Sequence, residues 1–245
     1  MTGITELWLV RHGESRANVA ASRAERELRE DIESEWRDAD VPLSELGEEQ
    51  ARALGRALEG LDPDSRPGTV WTSPYVRARE TMAIALAGID LTERQTDERL
   101  RDRELGVLDL LTTTGVEVRF PAEAARRRWL GKFYYRPPGG ESWADVAHRL
   151  RSVLADMERH TSDGSVLVVA HDAIVMIFLY LCLGWSEPEL LDFALTHPVP
   201  NASVTKLTRD TAGNWSLTTF AADDHLREQD VPVTRHEGDK DASIH

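Results

Sequence analysis

Apolar positions follow two rhythms along the chain. Short runs at 5–10 ("TELWLV"), 68–73 ("GTVWTS") and 165–170 ("SVLVVA") have the length and composition of strands buried on both faces. Between them the spacing becomes helical. "PLSELGEEQARALGRALEG" (42–60) puts Leu46, Ala51, Leu54 and Leu58 on one face, behind a Ser44 N-cap and before a Gly60 stop. "PYVRARETMAIALAG" (74–88) predicts a helix with proline in its first turn. "ESWADVAHRLRSVLADMERH" (141–160) predicts a long helix opened by a Ser142/Asp145 capping box, and "AIVMIFLYLCLG" (173–184) a buried one. Residues 121–136 look helical with a basic patch, and 15–38 helical in part. Residues 97–120 read as an extended loop with a short strand, and 202–221 as a terminal hairpin. From Asp223 the chain is charged and aperiodic, the pattern of a flexible tail. Strands alternating with helices predict an α/β fold, a largely parallel sheet with helices on both faces. The expected organisation is one domain over 1–222 and a tail over 223–245.

Composition narrows the function. The 245 residues are 41% hydrophobic, enough for a substantial core, and carry a net charge of −14. So acidic a chain is poorly suited to nucleic acid or to an anionic membrane. A small anionic substrate would need a local cluster of arginine. The one cysteine, Cys182, lies in an apolar run and reads as a reduced core residue, so the expected compartment is the cytoplasm. No basic and apolar leader opens the chain, and no apolar run approaches the ~20 residues of a membrane span. One cysteine and eight scattered histidines do not suggest zinc. No metal and no cofactor are expected.

Two of the apolar runs end in histidine, "LWLVRH" at His12 and "SVLVVAH" at His171. Ligands of open parallel sheets bind outside the carboxyl ends of the strands. Both imidazoles would share one crevice if these strands are neighbours. Arg11 can face an oxyanion there, and Gly13 permits close backbone approach before a helix N-terminus.

"RHGESRAN" (11–18), "PLSELGEEQA" (42–51), "TSPYVRARET" (72–81), "PGGES" (138–142) and "VLVVAH" (166–171) occur in an order and spacing that resemble the histidine phosphatase, or phosphoglycerate mutase-like, superfamily. The resemblance implies a three-layer α/β/α sandwich. It also implies that His12 is a nucleophile that becomes phosphohistidine, with Arg11, Gly13, Asn18, Arg77 and His171 around the phosphoryl group. The leaving oxygen needs a proton. The family's glutamate four residues before a glycine is matched by Asp102, one methylene shorter, in "RLRDRELG". Asp172 stands after the second histidine, where this branch has glycine and the acid phosphatase branch has an aspartate donor. It is a rival acid, or a cap of the following helix. Glu14 and Glu141 read as structural.

The expected function is phosphomonoester hydrolysis of a small phosphorylated metabolite. The alternatives are phosphoglycerate mutase-type transfer and a phospho-ligand binding module without turnover. "DRELG" lacks the His and Tyr of the mutase landmark, and "FYYRPPGGES" resembles plant and fungal phosphatase-type relatives. The patch Arg126, Arg127, Arg128, Lys132 and Arg136 reads first as a solvated basic helix face; in a mutase some of it would bind a second acidic group. Trp129, Tyr134, Tyr135 and His197 are expected near the leaving group.

Overall fold

Every second residue of the first apolar run enters a different core, and this is why the run is unbroken. In the computed structural model, which describes residues 3–90, 93–161 and 164–236, β1 is Ile4–Arg11. Leu7 and Leu9 point to one face of the sheet, Trp8 and Val10 to the other. β4 (Gly164–Ala170) does the same, with Val166 and Val168 against Leu167 and Val169. β2 (Thr69–Thr72) and β3 (Glu93–Thr96) complete a parallel set. β5 (Val204–Arg209) and β6 (Trp215–Ala222) are the predicted hairpin, antiparallel on the far side of β1. The sheet order is β3-β2-β4-β1-β5-β6.

Helices cover both faces. α6 (Trp143–His160) and α7 (Asp172–Leu183) bury Val146, Leu150, Met157, Ile174 and Phe178 in one core. α2 (Glu45–Glu59) and α3 (Val76–Ala85) bury Leu54, Leu58, Ala78 and Ala85 in the other. Ser44 caps α2, and Ser142 with Asp145 forms the predicted capping box. Cys182 is a free thiol packed on the larger core, and burial pushes it up to about 12.

Several elements depart from expectation. β3 reads Glu-Arg-Gln-Thr, an exposed edge with no apolar signal. α3 starts at Val76, past Pro74. The stretch 97–120 holds α4 (Thr113–Arg119) instead of a strand, packed on α5 (Pro121–Tyr134), which kinks at Gly131 with φ 75°. α1 (Arg16–Arg26) occupies only the first half of the polar region, and α8 (Glu187–Thr196) follows α7. The tail expectation is corrected for its first part. α9 (Asp224–Arg227) and the chain after it pack Leu226, Val231 and Val233 against Ala53 and Ala202. Three apolar side chains spaced too irregularly for a periodic signal anchor this segment; residues 237–245 lie outside the described residues.

Candidate active site

Neighbouring parallel strands deliver the two histidines together. Arg11 is in register with Ala170, so His12 and His171 leave the sheet side by side, ring centroids 5.2 Å apart and edge to face. Both are buried, at 3% and 0% exposure. The His12 Nδ1 lies 2.7 Å from the Gly13 carbonyl. A carbonyl only accepts, so Nδ1 carries the proton and Nε2 keeps its lone pair. Burial, then the charges of Arg77, His171 and Arg11, hold this imidazole well below its ordinary value. It is a neutral imidazole in a cationic setting. His171 is lowered likewise, by burial first and then by Arg77, Arg149 and Arg11.

The loop after β1 is clamped from three sides. Asn201 Nδ2 donates to the His12 carbonyl at 3.0 Å, and Ala202 N to the Arg11 and His12 carbonyls at 3.0 and 3.2 Å. Ala202 does this at φ 56°, a left-handed conformation that costs on the order of 1 kcal/mol for a residue with a Cβ. The Glu14 N–H donates to Gln50 Oε1 at 2.8 Å. Gly13 corrects an expectation. Its N–H is taken by Thr81 Oγ1 at 3.0 Å, and a Cβ on it would meet the Gly47 carbonyl at 2.5 Å. The glycine admits the first turn of α2, where a Cβ on Gly47 would lie 1.9 Å from the Glu14 carbonyl. Asn18 joins Ser15 in the capping box of α1, which occupies its Oδ1 and leaves Nδ2 as the remaining donor. Glu14 sits before that cap. Burial pushes its carboxyl up, but hydrogen bonds with His236 and Ser44 outweigh burial and hold it below its ordinary range.

Two arginines reach the histidines, both 4% exposed. Arg11 donates through Nη1 to the Val199 carbonyl and, at 3.4 Å, to the His236 carbonyl, while its buried Nε has no partner among the described residues. Arg77, on α3, meets Asp38 at 3.0 Å and Asp102 at 3.1 Å, with its face on Tyr75 at 4.9 Å. Burial disfavours its charge, and the two carboxylates more than restore it.

The competing acids separate clearly. Asp102 Oδ2 lies 3.3 Å from His171 Nδ1, without hydrogen-bond alignment, and on Arg77. Its loop is held by Glu141 and Arg149. Arg149 pairs with both Glu141 oxygens at 2.9 and 3.0 Å and donates to the Asp102 carbonyl at 3.1 Å. Arg101 and Arg103 bind Glu141 at 2.7 Å each, through its carboxylate and its carbonyl. Asp172 instead turns its Oδ1 onto the Ala173 N–H at 2.7 Å, in the first turn of α7. Glu104 accepts from the Tyr75 hydroxyl at 3.0 Å.

Sequence reasoning missed Ser73, whose Oγ lies 2.8 Å from His171 Nε2, and Asp38, Gln50, Asn201 and His236. Ser73 precedes Pro74 in a quoted landmark, the one available signal. The aromatic expectation fails in part. Tyr135 is buried beside Leu108 and Val116, Trp129 is 83% exposed, and His197 stacks on Phe193 at 4.0 Å. In the basic patch, Arg128 pairs with Glu117, Arg136 with Asp145, and Lys132 lies over Trp143. Among the described residues no three His, Cys, Asp or Glu side chains cluster to hold a metal ion, and no helix is long and apolar enough to cross a membrane.

The profile of the histidine phosphatase superfamily (branch 1) matches residues 7–223. A 2,3-bisphosphoglycerate-dependent phosphoglycerate mutase of Methylobacterium radiotolerans is 31% identical over 79% of this chain and 86% of its own. A 6-phosphofructo-2-kinase/fructose-2,6-bisphosphatase of Gallus gallus is 32% identical over 75% of this chain, which spans about a third (34%) of that longer protein. Among solved structures, a mycobacterial glucosyl-3-phosphoglycerate phosphatase in complex with VO3 superposes with a TM-score of 0.71 at 27% identity, over 89% of this chain and 99% of that one.

Proposed function

The chain belongs to branch 1 of the histidine phosphatase superfamily, and within it we propose a phosphomonoester hydrolase that works through phosphohistidine on a small phosphorylated metabolite. The observation that carries this reading is the His12 ring: buried, neutral, protonated on Nδ1 by its bond to the Gly13 carbonyl, near the charges of Arg11 and Arg77 and beside His171, with no hydrogen bond on Nε2 among the described residues.

Nε2 attacks phosphorus, the N–P bond forms, and the ester P–O bond breaks. Arg11, Arg77, His171 and the Asn18 amide meet the charge on the phosphoryl oxygens. Asp102 enters this step as the carboxylic acid, not as the carboxylate paired with Arg77, and gives its proton to the leaving oxygen. Water then attacks phosphorus, Asp102 takes a proton from it, and the P–N bond breaks to release phosphate. Asp172 serves the N-terminus of α7 and takes no part in proton transfer.

Hydrolysis is favoured over mutase transfer by charge. A mutase must hold a second acidic group beside the phosphate. Around Arg77 stand Asp38, Asp102 and Glu104 (on Tyr75), with Asp109 acting on Arg77 and Glu104. Such a mouth suits a neutral or cationic leaving group. The test is turnover of an aryl phosphate in EDTA by wild type and His12→Ala. Expected are phosphate release and an acid-labile, base-stable phosphoenzyme in wild type, and a loss of about four orders of magnitude or more in the variant. Transfer between phosphoglycerates without release would favour the mutase; phosphate binding without either would leave a binding module.

A further inference from the structure

The segment after α9 touches the nucleophile loop. Its apolar anchor, Leu226 with Val231 and Val233, is followed by a row of hydrogen bonds. Gln50 Nε2 donates to the Pro232 carbonyl at 3.0 Å and to Thr234 Oγ1 at 2.9 Å. The Asn201 N–H donates to the Thr234 carbonyl, and Thr234 Oγ1 to Asn201 Oδ1, each at 3.1 Å. Gln50 and Asn201 are the side chains that hold Glu14 and the His12 carbonyl. At the end of the row the His236 ring bridges two elements, Nδ1 to Ser22 Oγ at 2.6 Å and Nε2 to Glu14 Oε2 at 3.1 Å. Its carbonyl accepts from Arg11 Nη1.

We infer that residues 232–236 are a strap that sets the phosphate affinity of Arg11, with His236 as the positioning residue. The argument is geometric. The carbonyls of Val199 and His236 take Nη1 and fix the plane of the guanidinium. The buried Nε, without a partner among the described residues, is left as a donor for a phosphoryl oxygen. A planar fork loses less freedom on binding when one of its nitrogens is already held. The His236 ring pins the carbonyl beneath it by bonding to Glu14, three residues after Arg11, and to α1. The role rests on the proposed function, in which Arg11 binds the phosphoryl group.

The test measures inorganic phosphate binding by calorimetry, KM and kcat on an aryl phosphate, and the unfolding midpoint. The proteins are wild type, full-length His236→Gly and His236→Gln, and a chain ended after Arg235 compared with one ended after Gly238. The shorter chain and His236→Gly should weaken phosphate binding and raise KM by about threefold to tenfold, the worth of one or two hydrogen bonds. Their midpoints should hold, because Leu226, Val231 and Val233 stay in place. His236→Gln can still reach Ser22 and Glu14, and should bind phosphate as wild type does. Phosphate affinity unchanged in His236→Gly and in the shorter chain would sink the strap. So would losses that track a falling midpoint in all variants, His236→Gln included. If the shorter chain does not fold, His236→Gly decides. Wild type that binds no phosphate would end the functional reading and the strap together, whereas wild type that binds it beside indifferent variants would end the strap alone.

Discussion

The ends of β1 and β4 carry the same residue at the same height, and the chain continues from them in different ways. After His171 it enters α7 at once, with His171 itself as the N-cap. After His12 it makes a loop that depends on Gly13 within it and on Gly47, Gln50 and Asn201 from distant parts of the chain. The rings differ accordingly. His12 spends Nδ1 on its own neighbour's carbonyl and has no hydrogen bond on Nε2 among the described residues; His171 has Ser73 on Nε2 and Asp102 near Nδ1. Both rings are buried and lowered in basicity, so what distinguishes them is their hydrogen-bond partners. Under the proposed function, the different hydrogen-bond partners of the two rings suit His12 to attack and His171 to donate to the transferred group.

The largest test of that contrast is at the acid beside His171. Asp102→Asn should lower kcat on an alkyl phosphate by roughly 10²–10⁴-fold, and much less on an aryl phosphate whose leaving oxygen needs no proton. Equal losses on both substrates would mean that Asp102 only orders the site. The β1 side should break through packing. Gly47→Ala places a Cβ against the Glu14 carbonyl and should cost about 3 kcal/mol, a fall of roughly 6–12 °C in the melting midpoint. A neutral Gly47→Ala would show that the loop after β1 is as self-supporting as the start of α7.

Acid should probe what the two ends share. His12 and His171 are held below the ordinary imidazole value, so in the unfolded chain they take protons that the fold refuses. Their contribution to stability is complete above the unfolded value of about 6.5 and is lost as pH falls below it, at about 1.4 kcal/mol per pH unit for each. Partly buried His225, also lowered by desolvation, adds in the same sense. Urea midpoints between pH 7.5 and 5.5, about a unit either side of that value, should fall less steeply in His12→Asn than in wild type; parallel curves would contradict the depressed basicity. Smaller still is Ser73→Ala, which removes the partner of His171 Nε2 and should lower kcat/KM by about tenfold. Asp172→Asn should change kcat less than about threefold, since an amide oxygen can still serve the helix terminus.

Much of the fold is legible in the sequence. Runs such as "LWLV" and "VLVV" are buried on both faces and carry no polar position, so strand and parallel sheet could be read directly. The two histidines followed because a strand end is a local feature. The placement of Arg77 and Asp102 came from motif resemblance, and both meet His171 or its surroundings. β3 was invisible because an edge strand of Glu-Arg-Gln-Thr takes its structure from β2's hydrogen bonds. The packing of segment 224–236 is not legible in the sequence, because three anchoring side chains without a period give no pattern.

The chain's own order therefore determined which residues stand at the carboxyl ends of buried strands, since local apolar patterning is enough to make a strand and end it. Tertiary structure alone decided which imidazole nitrogen is hydrogen-bonded, which aspartate faces the histidines, and that His236 returns to Glu14 and Arg11. Those are contacts between groups up to 225 residues apart, and no local rule encodes a hydrogen bond whose partner is supplied by another layer of the fold.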